Sequence, residues 1–142
     1  MRGIPSGVVE VSSRRVVVGA AIVRAGRLLA QQRGYPDHLA GQWELPGGRV
    51  EPGETEVDAL VRECVEELGV QVRVGDRVGP DVPLPDAGAI LRVYAATLAD
   101  DGVDPTAQEH RTVRWIAKDE LAALDWLRPD RVLIPHLRNL LS

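Results

Sequence analysis

The sequence predicts an α/β fold in which helices cover a mixed β-sheet. A nearly continuous β-branched run at residues 16–23 is typical of a buried strand. An apolar repeat of three and four residues over 55–68 indicates an amphipathic helix. The predicted elements follow in the order β, β, loop, α, β, β, β, α, α, which favours helices packed on the faces of one sheet.

The first two strands are predicted to form a hairpin. Ala25-Gly26 is a turn signal, and a second run from Leu28 to Gln32 returns along the first strand. Residues 34–53 are rich in Gly and Pro, so we expect a loop with one short extended piece at 43–45.

The helix is expected to begin at Thr55 and to end at Leu68, because Gly69 is a favourable C-terminal cap. Its apolar stripe is predicted to contain Val57, Leu60, Val61, Cys64, Val65 and Leu68. Later elements are expected as strands at 71–78, 89–98 and 113–116, a short helix from 118 and a terminal helix at 131–141.

The 142 residues fit one globular domain, with a loose leader at 1–13 and the domain at 14–142. A net charge of −4 and a pI of about 5.4 argue against binding to nucleic acid or to an anionic membrane. The first residues lack an apolar h-region, so no signal peptide is expected. The single cysteine, Cys64, fits a reducing cytoplasm.

Three glutamates, Glu63, Glu66 and Glu67, are expected on one face of the helix. We predict that this face lies away from the apolar stripe, with its carboxylates pointing outward. A solvated acidic face would explain them, and so would a metal site, since Mg²⁺ prefers carboxylate oxygens. The preceding pair Gly47-Gly48 favours the metal site, because its backbone can approach a ligand closely.

The glycines and the helix match one longer pattern. It is Gly48-x5-Glu54-x7-Arg62-Glu63-Cys64-x-Glu66-Glu67-x-Gly69-Val70. This pattern resembles the Nudix box, G-x5-E-x7-R-E-U-x-E-E-x-G-U, at every fixed position, with Cys64 in an aliphatic slot. Arg62 and Glu54 carry opposite charges just off the acidic face, and we expect an ion pair between them that braces the loop against the helix.

The resemblance to Nudix hydrolases implies an α/β/α sandwich that hydrolyses a nucleoside diphosphate linked to another group. It also implies bound Mg²⁺, or Mn²⁺ in its place, which would neutralise the phosphates and activate a water. The implied ligands are the Gly48 carbonyl, Glu63, Glu66 and Glu67, with Glu54 in a supporting or outer-sphere role.

The resemblance to the MutT-type members of this family extends beyond the box. Arg33, His38 and the run Glu44-Leu45-Pro46-Gly47-Gly48 occupy the corresponding places. Arg33 is thereby expected to contact phosphate, and the segment from Trp43 through Pro46 to line the nucleoside site. His38 is equally well explained as an exposed loop histidine.

Two residues beyond the helix complete the implied site. Glu109 fits a distal glutamate that serves as a further metal ligand or as the base. Asp130 falls where MutT carries an amide that contacts the base, and the Trp126-x-x-x-Asp130-Arg131 arrangement resembles the branch that prefers cytosine nucleotides. Since Pro-Asp before a helix is also an ordinary N-cap, Asp130 has a structural explanation as well.

The implied reaction is NTP plus water giving NMP plus pyrophosphate, by attack of water on the β-phosphorus. Glu63 or Glu109 would be the base. CTP, dCTP and 5-substituted forms are the favoured substrates, with 8-oxo-dGTP second, because an ionised carboxylate only accepts hydrogen bonds. The alternatives are an ADP-ribose pyrophosphatase, suggested by Pro85, and a catalytically silent nucleotide-sensing domain. We expect a monomer or a homodimer.

Overall fold

The computed structural model describes residues 15–85 and 88–142, so the predicted leader at 1–13 lies outside the described residues. The strands are β1 (Arg15–Arg24), β2 (Arg27–Gln32), β3 (Trp43–Glu44), β4 (Gly47–Arg49), β5 (Val72–Pro83), β6 (Ala89–Leu98) and β7 (Thr112–Ile116). The helices are α1 (Glu56–Leu68), a 3₁₀ helix (Lys118–Ala123), α2 (Arg128–Val132) and α3 (Ile134–Arg138).

The sheet is mixed, as the sequence predicts. Its strand order is β3-β2-β1-β6-β5, with β4 pairing with β1 and β7 pairing with β2. Strands β1 and β6 are parallel, whereas the other strand pairs are antiparallel. The central place of β1 explains its nearly continuous apolar sequence, because both of its faces are covered.

Strand β1 separates two halves of the core, because its side chains alternate between the faces of the sheet. Val18 and Ile22 pack in a cluster with Leu60 of α1. Ala21 points the other way, into a cluster that contains Leu133 near the C-terminus. Helices therefore cover both faces of the sheet, and the predicted α/β/α sandwich is confirmed.

Helix α1 is capped at both ends in the predicted places. Thr55 Oγ1 accepts a hydrogen bond from the Asp58 N–H at 3.0 Å. Gly69 adopts the left-handed conformation, with φ 69°, and its N–H donates to the Val65 carbonyl at 3.0 Å. These caps pair backbone groups that the ends of an isolated helix leave without partners.

The buried face of α1 differs from the predicted apolar stripe. Val57 and Val65 are 44% and 42% exposed, whereas Glu67 is only 8% exposed. Glu67 follows Leu60 by seven residues, nearly two full turns, so both side chains point to the same side of the helix. The prediction that the carboxylates all point away from the core is therefore wrong for Glu67.

The predicted loop at 34–53 contains a strand that the sequence does not predict, because Gly and Pro residues are typical of loops. Gly47–Arg49 forms β4, antiparallel to β1, with Gly47 opposite Gly19. The φ of Gly47 is 153°, and a Cβ there would overlap the Val18 carbonyl oxygen. Gly47 thus lets the backbone of β4 lie close to β1, which a side chain at that position would prevent.

The C-terminal region is not the single helix predicted at 131–141. It forms α2 and α3, each with a proline in its first turn, Pro129 and Pro135. Proline has no N–H to continue a helix but fits its first turn, so Pro135 ends one helix and begins the next.

Strand β5 is longer than predicted and reaches Pro83 through two register shifts. Among the described residues, no helix has the length and apolar character needed to cross a membrane.

Candidate active site

Gly48 lies directly against the carboxylate of Glu63. A Cβ added at residue 48 would overlap that carboxylate, so any side chain there would force the Glu63 carboxylate to move. The neighbouring Gly47 N–H donates to Glu67 Oε1 at 3.1 Å. Strand β4 and helix α1 thus bring the glycine pair together with two of the three predicted carboxylates.

Glu67 is the most deeply buried of the three glutamates. Its Oε1 accepts hydrogen bonds from Gln31 Nε2, at 2.9 Å, and from the Gly47 N–H. Burial raises the pKa of Glu67 to about 7, although the hydrogen bonds from Gln31 and Gly47 act in the opposite direction. A cation bound beside Glu67 would stabilise its ionised form.

Gln31 is a site residue that the motifs do not predict. It is completely buried on β2, and its Oε1 has no hydrogen-bond partner among the described residues. The sequence does contain a signal, because Gln31 follows Leu29 by two residues and therefore shares its face of the strand. A polar residue on a buried face requires a partner, and here that partner is Glu67.

The expected ion pair between Arg62 and Glu54 is present. Arg62 Nε and Nη2 contact the two carboxylate oxygens of Glu54 at 2.6 and 3.0 Å. Arg62 Nη1 lies 3.4 Å from Glu63 Oε2 and 3.2 Å from Glu66 Oε2. Its Nη2 also donates to the Arg49 carbonyl at 3.2 Å. One guanidinium therefore fastens β4 and the following loop to α1.

The oxygen atoms on this face of α1 are the kind of ligand that a hard divalent cation prefers. Glu63, Glu66 and Glu67 offer carboxylate oxygens beside the Gly48 backbone, and Mg²⁺ is held by one or two carboxylates with waters and substrate phosphates. Burial raises the pKa of Glu63, against the charge of Arg62. Within residues 15–85 and 88–142, no three His, Cys, Asp or Glu side chains converge enough to hold a metal by themselves. Water and substrate oxygens would have to complete the coordination.

A second polar group is built around Glu44 on β3. Glu44 Oε2 accepts a hydrogen bond from Arg33 Nη1 at 3.0 Å and lies 2.7 Å from His110 Nε2. Glu44 also faces Gln31 across the β2–β3 ladder. Since Gln31 donates to Glu67, the Glu44 group and the acidic face of α1 are neighbours.

Glu109, the predicted distal glutamate, is exposed on the segment before β7. It lines a small cavity of about 20 Å³ together with Arg33, Gly34, Tyr35 and His110. The structure therefore brings Glu109 close to the predicted phosphate ligand Arg33. His110 was not predicted, and its only sequence signal is its position next to Glu109.

Asp130 lies beneath the predicted nucleoside segment. Its Oδ2 accepts a hydrogen bond from the Leu45 N–H at 2.9 Å, and the residue is 6% exposed. Burial raises the pKa of Asp130 to about 7, against the hydrogen bond from Leu45. The alternative explanation of Asp130 as an N-cap is wrong, because α2 begins at Arg128 with Leu127 in the cap position.

The remaining predicted residues, Trp43, Pro46 and His38, differ in their surroundings. Trp43, the first residue of the predicted nucleoside segment, is 8% exposed and packs in the core. The Pro46 carbonyl accepts the Ala20 N–H at 2.8 Å, which fixes the segment to β1. His38 is exposed on the loop that follows β2.

Comparison with known proteins gives a consistent result. A family model described as the NUDIX domain matches residues 13–137. A Mycobacterium tuberculosis protein named "Putative 8-oxo-dGTP diphosphatase 2" is 46% identical over 131 residues, which is 90% of this chain and 91% of that protein. The CTP pyrophosphohydrolase of Escherichia coli is 38% identical over 104 residues, covering 73% of this chain and 76% of that enzyme.

Solved structures share the fold. The solution structure of the E. coli ORF135 protein is 34% identical, with a TM-score of 0.73 and 89% of each chain covered. The crystal structure of an ADP-ribose pyrophosphatase from Streptococcus suis has a TM-score of 0.67, with 89% of this chain and 90% of that chain covered. At 19% identity, that second likeness shows the fold alone.

Proposed function

Since this chain belongs to the Nudix hydrolase family, we propose that it is a Mg²⁺-dependent nucleoside triphosphate pyrophosphohydrolase. Its substrates are CTP, dCTP and their 5-substituted forms, with 8-oxo-dGTP second. The products are the nucleoside monophosphate and pyrophosphate. The observation that carries this proposal is the pair of partly compensated carboxylates, Glu63 and Glu67, packed against the glycines of β4.

The carboxylates beside β4 suit a substrate that arrives with a divalent cation. Gly48, Glu63, Glu66, Glu67 and Glu109 are the residues that would hold the cation. Mg²⁺, or Mn²⁺ in its place, supplies charge neutralisation for the phosphates and a more acidic attacking water. Arg62 holds the acidic face in position through Glu54.

Phosphate binding and proton transfer are carried out by side chains of the protein. Arg33, which bonds Glu44, contacts the phosphates in this proposal, since a guanidinium is a good phosphate ligand. Glu63 or Glu109 accepts the proton of the water that attacks the β-phosphorus. Both carboxylates are near the positions where phosphate and metal are proposed, so either can serve as the general base.

Asp130 is proposed to select the base. Its ionised carboxylate accepts hydrogen bonds, which suits the amino group of cytosine or the N1–H and N2–H₂ donors of an oxidised guanine. A thymine or uracil edge offers it less. The names of two relatives, a CTP pyrophosphohydrolase and a protein named for 8-oxo-dGTP, support the same two base classes. The one cysteine, Cys64, is buried and free, which supports a cytoplasmic location.

A nucleotide panel tests this proposal. With Mg²⁺ present, we expect CTP, dCTP, 5-methyl-dCTP and 8-oxo-dGTP to release monophosphate and pyrophosphate, with UTP and ADP-ribose turned over more slowly. In ¹⁸O-labelled water, the label should enter pyrophosphate and not CMP, because attack occurs at the β-phosphorus. Preferred hydrolysis of ADP-ribose would overturn the substrate assignment, and no turnover of any nucleotide would favour a nucleotide-sensing domain.

The variant Asp130→Asn tests base selection within the same panel. The asparagine oxygen can still accept the Leu45 N–H, so the fold is retained, but its amide adds a donor. We expect the ratio of kcat/KM for CTP to that for 8-oxo-dGTP to change by about tenfold, the size of one altered hydrogen bond to a base. An unchanged ratio would mean that Asp130 only supports Leu45.

A further inference from the structure

We propose that His110 is a positioning residue for this reaction, which holds Glu109 at the site by donating a hydrogen bond to Glu44. The inference rests on the proposed function, because it concerns the kcat of that reaction. It assigns a task to a residue outside the Nudix box and outside the distal glutamate itself.

The segment that carries Glu109 is fixed by its backbone on both sides. The Gln108 N–H donates to the Glu67 carbonyl at 3.1 Å, at the C-terminal end of α1. The Arg111 N–H donates to the Gln32 carbonyl at 2.8 Å, where β7 is about to pair with β2. Between these two anchors lie Glu109, which is exposed, and His110, whose side chain contacts β3.

His110 supplies that side-chain anchor. Its Nε2 lies 2.7 Å from Glu44 Oε2, and its side chain is 10% exposed. Because a carboxylate only accepts hydrogen bonds, Nε2 carries the hydrogen. The other ring nitrogen, Nδ1, is buried without a hydrogen-bond partner among the described residues. The contact with Glu44 is therefore the polar interaction that orients the ring.

The same oxygen of Glu44 also accepts a hydrogen bond from Arg33 Nη1, at 3.0 Å. Removing His110 leaves this second bond in place, so Arg33 keeps its position. Removing Glu44 releases both partners. The two positions should therefore differ in kinetics: loss of His110 lowers kcat through Glu109, whereas loss of Glu44 also raises KM through Arg33.

Three variants of His110 distinguish the effect of its hydrogen bond from the effect of its side-chain volume. His110→Leu keeps much of the volume and removes the donor. His110→Gln can place an amide nitrogen where Nε2 stands, and His110→Asn is too short to do so. We expect kcat for CTP to fall about ten- to a hundredfold in the Leu and Asn variants, the cost of a small misplacement of a reacting group. KM should stay within about threefold, and the Gln variant should recover most of the rate.

A double-mutant cycle with Glu109→Gln identifies the residue through which His110 acts. In that background, His110→Leu should lower kcat by less than about twofold, because there is no carboxylate left to position. His136→Leu, at an exposed histidine of α3, is the matched control and should retain wild-type kinetics. Thermal unfolding of each variant reports folding separately from rate, and the Asn variant serves if the Leu variant does not fold.

The outcomes are distinct. Wild-type kcat in both the Leu and Asn variants, or equal losses in the Gln and Asn variants, would overturn the role of His110. So would a full loss from His110→Leu in the Glu109→Gln background. If wild-type protein turned over no nucleotide, the proposed function would fail first, before any variant was compared.

Discussion

Two arginine-centred networks touch helix α1, and they differ in how far their carboxylates are satisfied. In the first, Arg92 binds both oxygens of Asp81, at 2.9 and 2.7 Å, and contacts Glu56 at 2.6 Å. The second oxygen of Glu56 accepts the Tyr94 hydroxyl, and Arg77 adds a further contact to Asp81. Each carboxylate oxygen of Asp81 and Glu56 therefore has a donor.

In the second network, Arg62 gives its two shortest contacts to Glu54. Glu63 and Glu66 receive longer contacts from it, at 3.4 and 3.2 Å, and Glu67 is bonded by neutral donors from Gln31 and Gly47. The pKa values of Glu63 and Glu67 are raised, mainly by burial. The same residue types thus leave negative charge poorly compensated in one place and fully paired in the other.

The difference indicates that the two networks on α1 have different roles, one in stability and one in the site. A satisfied network stabilises the packing of α1 on β5 and β6, whereas poorly compensated carboxylates destabilise the fold and remain available to a cation. We therefore expect a change of Arg62 to lower mainly the activity and a change of Arg92 to lower mainly the stability.

The largest effect is expected from comparing Arg62→Leu with Arg92→Leu. Arg62→Leu should lower kcat/KM for CTP by at least about tenfold, because the loop and glutamates of the site lose their common anchor. Arg92→Leu should leave kcat/KM within about twofold but lower Tm by several °C, as expected for a loss of about 1–2 kcal/mol in a partly exposed network. Steady-state kinetics and thermal unfolding of both proteins check this. The comparison fails if both variants lose activity equally.

A smaller effect is expected in the pH dependence of stability, from Asp130. Its pKa is about 7 in the folded protein, above the ordinary value of 3.8. The folded state therefore keeps a proton that the unfolded chain has lost, so stability falls as pH rises from about 4 to 7. The contribution approaches about 1.4 kcal/mol per pH unit within that window. Asp130→Asn should remove it.

Denaturant unfolding of wild type and Asp130→Asn at pH 5 and pH 8 measures this effect. The free energy of unfolding of the wild type should fall more between the two pH values than that of the variant. Parallel pH profiles would contradict a raised pKa of Asp130 in the folded protein.

The sequence predicts most of the fold, and the exceptions have physical reasons. Residues 16–23 and 89–98 have patterns long enough to identify strands. A three-residue strand such as β4 has too few residues for a periodicity, and its pairing depends on the close approach that Gly47 allows. At the C-terminus, one helix is predicted at 131–141, but Pro135 begins a separate helix within that range.

The candidate site is predictable where it follows a local pattern. The spacing of the Nudix box predicts that Glu63 and Glu67 lie near the pair Gly47-Gly48, because these residues belong to one helix and the strand that precedes it. Gln31 and His110 reach the site from β2 and from the segment before β7. Their contribution depends on strand pairing across distant parts of the chain, which no local spacing contains.

The poorly compensated carboxylates of α1 are proposed to form a divalent cation site. Titration of Mn²⁺ followed by electron paramagnetic resonance, with wild type, Glu67→Gln and Arg92→Leu, tests it without relying on turnover. We expect Glu67→Gln to remain folded, because a glutamine oxygen can accept the Gln31 and Gly47 hydrogen bonds, and to bind Mn²⁺ at least about tenfold more weakly, the order of loss expected for a ligand. Arg92→Leu should bind as the wild type does. Equal Mn²⁺ affinity in wild type and Glu67→Gln would contradict the claim.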